Sequence, residues 1–257
     1  MILLDVAETT TTLFPERVPE ASEAMTPEES AALAAWQASP TGRAVYAALG
    51  QHVADLLQLD GGRLLSVGEG EGRLASELAT RLPHVEVLGS DLCPQAVAAA
   101  AERFQAPNLG YAACSAYDVE SLGRFDAVVC VFTLHHFEDA ARALASIYRV
   151  LKPGGQLYLM DLRRDAAAGA YFRWLDTYVD QVLPVARLFR ESVRAAYTTA
   201  ELHTLLGGWT SPEVGRVRWG EEARAAFRVE DPAAACTLPA LELDIDGLWQ
   251  QALAWRG

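Results

Sequence analysis

The sequence predicts an α/β protein: a doubly wound, mostly parallel sheet with helices on both faces. Three observations carry that expectation. From residue 63 onward, short apolar runs alternate with amphipathic helical patterns. A glycine-rich turn, Gly68-Glu69-Gly70-Glu71-Gly72, joins the first run to the first helix, and an aspartate, Asp91, ends the second run. The alternation is what parallel pairing requires, because a crossover helix must return the chain to the start of the next strand.

The elements follow in order. Residues 1–25 hold Thr9 to Thr12, Pro15 and Pro19 without periodicity and read as an irregular arm. Thr26-Pro27-Glu28-Glu29 then opens a helix, with Thr26 as N-cap, Pro27 at the first helical position and Glu29 completing a capping box. Thr41 to Gln58 places Val45, Leu49, Val53, Leu56 and Leu57 on one side of a second helix. Strands are expected at 64–67, 85–88, 109–114, 125–132 and 156–162. Helices are expected across Leu74, Leu78 and Leu82, from Gln95 to Phe104, and from Asp139 to Gly154-Gly155. Beyond residue 163 come helical stretches at 167–183 and 199–206, then strands at 213–219 and 223–229 paired through Gly220. A final helix carries Leu248, Leu253 and Trp255. The chain thus divides into an arm and lid helix (1–40), a main domain (41–230) with a helical insert (163–207), and a helical extension (231–257).

Composition narrows the function. Of 257 residues, 34 are acidic and 21 basic, a net charge of −13. The 51% hydrophobic content suits a folded chain with a sizeable core. Lys152 is the only lysine. A protein that displaces counterions from phosphates needs the opposite balance, so nucleic-acid and anionic-membrane roles are disfavoured. Cys93, Cys114, Cys130 and Cys236 lie far apart without a C-x-x-C pair, which reads as reduced, mostly buried thiols. The N-terminus lacks the basic start of a signal peptide, and no stretch approaches the ~20 apolar residues of a membrane span. A soluble cytoplasmic protein is expected, as monomer or homodimer. No His, Cys, Asp and Glu grouping has ligand spacing, so no metal is expected.

The glycine turn discriminates between cofactors. A dinucleotide fingerprint needs a third glycine at position 73, which is Arg73. Glu69 and Glu71 also place carboxylates where an anionic pyrophosphate would sit. S-adenosylmethionine has no phosphate and is net positive, so the acidic turn suits its sulfonium and ammonium. Asp91, 19 residues after Gly72, stands where a carboxylate accepts hydrogen bonds from ribose hydroxyls; its other reading is a cap for the helix that Pro94 enters.

The motifs LLSVGEGEG (64–72), VEVLGSDLCPQAV (85–97), FDAVVCVFTLHHFED (125–139) and RVLKPGGQLYLMDL (149–162) together resemble class I S-adenosylmethionine-dependent methyltransferases. ESVRAAYTTAELHTLL (191–206), with RVPEASEAM (17–25), resembles a subset of small bacterial enzymes that act on small molecules. The resemblance implies a Rossmann-like, seven-stranded sheet with an N-terminal helical lid and a helical insert after the fifth strand. It also implies S-adenosylmethionine as cofactor. Gly68 and Gly70 would line its methionine portion, Asp91 and Leu92 its ribose, and Ser115 and Ala116 its adenine edge. Val131 would meet the amino group through its carbonyl, and Arg43 would pair with the carboxylate or stand as a solvated surface residue.

Two departures bear on the cofactor. The family's acid on the first strand is here Ser66, and the small residue between the first two glycines is Glu69, which is expected to take over part of that negative charge. His136 is the candidate base and His135 a loop-shaping neighbour on the acceptor side. Arg163 or Arg164, Arg194 and Tyr197 are expected to face a small-molecule or short-peptide acceptor. The expected reaction is in-line methyl transfer. A nicotinamide oxidoreductase on the same sheet and a non-catalytic S-adenosylmethionine-binding protein are the alternatives.

Overall fold

A computed structural model describes residues 14–166, Tyr171, 183–206 and the strand residues 217–219, 228–229, 241–242 and 249–255. Five strands form a parallel sheet: β1 (Gly62–Val67), β2 (Val85–Asp91), β3 (Leu109–Ala113), β4 (Phe125–Val131) and β5 (Leu151–Leu162). Their spatial order is β3-β2-β1-β4-β5. The chain therefore steps outward from β1 to β3 and returns to lay β4 on the other side of β1. That reversal leaves a crevice beyond the carboxyl ends of β1 and β4, where open α/β sheets bind ligands. Register brings the strand ends together, with Val67 beside both Ser90 and Cys130.

Strand periodicity sorts side chains into two apolar layers. Leu64, Val87 and Val129 point to one face, where they meet Leu49 and Val53 of α2 (Pro40–Leu57) and Leu78 of α3 (Arg73–Arg81). Leu65, Val128 and Cys130 point to the other, against Leu144 and Ile147 of α5 (Ala140–Val150). Because both faces are covered, the central strands read as unbroken apolar runs. Each buried Leu or Val contributes about 1.5–3 kcal/mol relative to exposure. The helix α4 (Pro94–Arg103) follows β2, and α1 (Pro27–Ala38) opens with the expected capping box between Thr26 and Glu29. Lys152 pairs with Asp126 at 2.7 Å, and Asp126 also accepts from Arg63 N, tying together the starts of β5, β4 and β1.

Several expectations change. α5 ends at Val150 rather than at Gly154-Gly155. Leu151 already pairs with Phe125, and the register shifts before Gln156 pairs with Ala127, so 153–155 form an irregularity inside β5. Among the described residues, 217–219 and 228–229 do not pair with each other as expected. Instead β6 (Val217–Trp219) pairs with β9 (Trp249–Trp255), while β7 (Arg228–Val229) pairs with β8 (Leu241–Glu242). The expected C-terminal helix is thus the strand β9, antiparallel to β5. An unpaired β5 edge would leave a row of backbone donors and acceptors unsatisfied, and β9 fills it. The helix expected at 167–183 lies, apart from Tyr171 and Leu183, outside the described residues. A helix not expected from the sequence, α6 (Leu183–Ala195), precedes α7 (Thr199–Leu206). Of the thiols, Cys130 is buried, whereas Cys93 and Cys114 are partly exposed, and Cys236 lies outside the described residues.

Candidate active site

The turn after β1 is shaped by close approach. Gly68 has φ +71°, and a Cβ there would lie 2.1 Å from Thr133 Cγ2. Only glycine fits that conformation and that space. Thr133 Oγ1 donates toward Gly68 O at 3.2 Å and Val131 O at 2.9 Å, and the amides of Gly68 and Glu69 both donate to Ser90 O. The turn is thus bound to β2 on one side and to the end of β4 on the other. Phe132, just after β4, also has a left-handed φ of +52°, an unusual conformation for a bulky residue and one found mostly where a site constrains the backbone.

The acids of the turn separate. Glu69 turns inward: one carboxyl oxygen accepts from Ser66 Oγ, the other from Ala75 N at 3.0 Å. Burial outweighs these hydrogen bonds and raises its pKa from 4.5 to about 7. Asp91 Oδ2 accepts from Gly70 N at 2.7 Å and Oδ1 from Cys93 N at 2.8 Å. The carboxylate thus holds the turn and the entry to α4, with lone pairs left for a ligand. Glu71 departs from expectation. It points away from the turn's concave side to accept from Ser30 Oγ and Arg103 Nη1, each at 3.0 Å, because the α4 guanidinium neutralises it there.

These groups border a cavity of about 600 Å³ between the sheet's carboxyl end, residues 18–37 and α6. Gly68, Glu69, Gly70, Asp91, Leu92, Ser115, Ala116 and Val131 all line it. Leu92 is 45% exposed and offers an apolar surface. Arg43 does not line it: the side chain is exposed and donates to Ala38 O. On the acceptor side His135, His136 and Arg194 reach the cavity, with Trp36 and Phe189. Arg163 pairs with Asp165 at 3.0 Å and lies off the wall. Arg164 is buried and grips Glu201 at the start of α7. Tyr197 is also off the wall, covered by the Arg17 guanidinium at 4.3 Å from its ring.

Beside the histidines the structure assembles what linear spacing does not reveal. His135 Nδ1 lies 2.6 Å from Asp161 Oδ1, and His135 N donates to Asp161 Oδ2 at 2.9 Å. His136 Nδ1 lies 2.6 Å from Oε2 of Glu20, a residue of the arm more than 110 positions earlier. Ser192 of α6 donates to the other oxygen of Glu20. Burial pushes the Glu20 pKa up, but His136, His135 and Ser192 together hold it down at about 2. For His135 burial works against the proton, yet the charge and hydrogen bond of Asp161 raise its pKa. Glu20, Thr133 and Asp161 are the residues that sequence reasoning missed. All three lie inside the motifs that carry the resemblance, and Asp161 also stands out as a charge inside an apolar strand.

The arrangement fits an adenosyl cofactor with a cationic side arm. The cavity size falls within the ~300–1,000 Å³ usual for ligand sites. The turn carries glycines where backbone must approach a ligand. Asp91 has acceptor capacity to spare, and Glu69 is a buried carboxyl held by only a hydroxyl and an amide.

Fold and cavity together define a Rossmann-like α/β protein with a cavity at the topological switch point of its sheet. Comparison with known proteins gives the family. A model described as a methyltransferase domain matches residues 65–159. A ubiquinone biosynthesis O-methyltransferase of Xanthomonas euvesicatoria is 35% identical over 190 residues, covering 70% of this chain and 77% of that protein. A demethylmenaquinone methyltransferase of Deinococcus radiodurans is 38% identical over 144 residues. That match covers 53% of this chain and 57% of the relative, so the chain spans little more than half the length of that protein. Among solved structures, the plantazolicin methyltransferase BamL, in complex with a triazolic desmethylPZN analog and SAH, aligns with TM-score 0.67 at 15% identity. That alignment covers 90% of this chain and 91% of the other, a likeness of fold. The chain belongs to the class I S-adenosylmethionine-dependent methyltransferase family.

Proposed function

We propose that the protein transfers a methyl group from S-adenosylmethionine to a small-molecule acceptor, a short peptide included, within this cavity. The observation that supports this most is the placement of Glu69 and Asp91 on one wall, at the carboxyl ends of β1 and β2. Two acids there favour a cationic ligand with a ribose and oppose a pyrophosphate. Arg73 in place of a third glycine argues the same way against the nicotinamide alternative.

When bound, S-adenosylmethionine supplies an electrophilic methyl group. The chain's part is alignment and exclusion of water. In this reading Asp91 receives the ribose hydroxyls, Ser115 the adenine edge, and the Val131 carbonyl and Glu69 carboxylate the ammonium. The arm and α1 act as the lid, Glu29 meeting Arg187 of α6 across its edge. Arg194 faces an anionic group of the acceptor. An acceptor that must lose a proton gives it to His136, whose Nδ1 is held by Glu20. The reading includes the family's seven-stranded sheet, with β9 and β6 as the sixth and seventh strands.

The test is mass spectrometry of the purified protein for co-bound S-adenosylhomocysteine, followed by turnover against an acceptor panel. Recovery of the homocysteine product and methylation of one acceptor class are expected. Recovery of a nicotinamide dinucleotide would overturn the reading. Cofactor binding without turnover on any acceptor would favour the non-catalytic alternative.

A further inference from the structure

The histidine pair and the arm converge on a grouping that neither the fold nor the cofactor explains. One ligand-capable atom from each of Glu20, His135 and His136 lies within 4.8 Å of the others. Glu20 Oε2 is 2.6 Å from His136 Nδ1, and Glu20 Oε1 is 3.9 Å from His135 Nε2. His135 is 2% exposed, and its Nε2 is a buried nitrogen without a hydrogen-bond partner. Its orientation is imposed from behind. Asp161, itself 1% exposed, takes the Nδ1 hydrogen at 2.6 Å and is fixed by the amides of His135 and Leu162. The imidazole therefore presents Nε2 toward the Glu20 carboxylate at 3.9 Å, too far for a hydrogen bond.

We infer that Glu20, His135 and His136 form a binding site for one divalent transition-metal ion. Two imidazoles and a carboxylate, with the remaining positions open, suit iron(II), cobalt(II), manganese or zinc rather than calcium. Ligands bound about 2.1 Å from one ion lie roughly 3.0–3.4 Å apart. Glu20 meets His136 at 2.6 Å through one oxygen and His135 at 3.9 Å through the other, so an ion entering the group draws the His135 side closer and moves the His136 side apart. Asp161 behind His135 supplies the carboxylate–histidine support that ligating imidazoles ordinarily have. An ion here also balances two largely buried carboxylates, Asp161 and Glu20. All three ligands line the cavity, so the open positions face the space left for the acceptor.

The inference deepens the methyl-transfer reading and rests on it for one consequence. A metal at this wall takes an acceptor hydroxyl as its anion, releasing the proton to solvent, and so replaces His136 as the agent of deprotonation. The acceptor class then becomes a phenol, catechol or enol.

The experiment uses the full-length protein stripped with a chelator and titrated with cobalt(II). Visible absorption distinguishes nitrogen and oxygen ligation from thiolate, and calorimetry gives stoichiometry. One equivalent bound through nitrogen and oxygen is expected, with binding weakened at least tenfold in Glu20→Gln and in His135→Gln. Asp161→Asn should weaken it by a smaller factor. S-adenosylhomocysteine binding by each variant reports that the fold is intact and tests the cofactor reading separately. Failure of the wild type to bind cobalt, thiolate-type spectra, or equal affinity in a folded Glu20→Gln variant would overturn the site. Loss of cofactor binding in the wild type would leave the metal site standing and remove the methyl-transfer reading.

Discussion

Glu69 is a buried acid in a turn where the resemblance leads one to expect a small residue, and its surroundings show how it is held. Its carboxyl lies three positions after Ser66 and reaches back to accept from Ser66 Oγ. Its pKa is raised from 4.5 to about 7, so the folded state holds the proton more tightly than the unfolded chain. The resulting contribution to stability is complete below pH 4.5 and is lost as pH rises through 7. Unliganded protein should melt at falling temperature across that window, and Glu69→Gln should flatten the fall. S-adenosylmethionine affinity should move oppositely, rising about tenfold between pH 6 and pH 8 as the carboxylate ionises, and should lose that dependence in the variant. Calorimetry at the two pH values decides it. Gly68→Ala makes a steric prediction. With φ +71° and Thr133 Cγ2 only 2.1 Å from a built Cβ, the substitution should cost about 2–3 kcal/mol in denaturant titration and abolish cofactor binding. At this scale the cavity's position was legible, because Gly68, Gly70 and Asp91, which line it, sit at fixed offsets from a strand. Arg43, expected on the cofactor side, is instead turned to Ala38 O, and on the acceptor side His135, His136 and Arg194 lie on the cavity while Arg163 and Tyr197 are turned elsewhere by Asp165 and Arg17.

Among the elements, α7 packs Leu202 and Leu206 into the core and is clamped at its start. Glu201 takes both terminal nitrogens of buried Arg164 and also accepts from Thr198 N, while Thr198 Oγ1 accepts from Glu201 N, which is a capping box. Glu201→Ala leaves a buried guanidinium and an uncapped helix, an expected loss of about 2 kcal/mol by chemical denaturation. The Glu201 and Glu20 carboxyls both have pKa values lowered from 4.5 to about 2. The stability they contribute is present above pH 4.5 and lost as pH falls toward 2. Acid should therefore release the arm and α7 together, seen as hydrogen exchange at residues 14–25 and 199–206 rising below pH 4.5. The parallel strands and their helices were readable because each buried face imposes its period on the sequence. The edge strands were not. A run such as 249–255 is assigned by the β5 edge it pairs with, a partner some 95 positions away in sequence. α6 has a clear apolar spacing through Val185, Phe189 and Val193 that passed unread beside the aromatic run preceding it.

For the whole molecule, the net charge of −13 acquires a local meaning. The acids are not spread as a solvated coat at the site. Glu71 is neutralised by Arg103 off the cavity; of the acids that line it, Glu20 is set against the histidines, Glu23 meets Tyr117, Glu29 and Glu191 meet Arg187, and Glu69 and Asp91 stand at the carboxyl ends of β1 and β2. The arm, α1 and α6 close over that pair, and among the described residues no helix is long and apolar enough to cross a membrane. An acidic wall of this kind should select a cationic adenosyl cofactor. Isothermal titration of the full chain with S-adenosylmethionine tests it most directly. One site per chain in the micromolar range is expected, weakened at least thirtyfold in Asp91→Ala, about 2 kcal/mol. Absence of binding, or affinity unchanged in Asp91→Ala, would contradict the account.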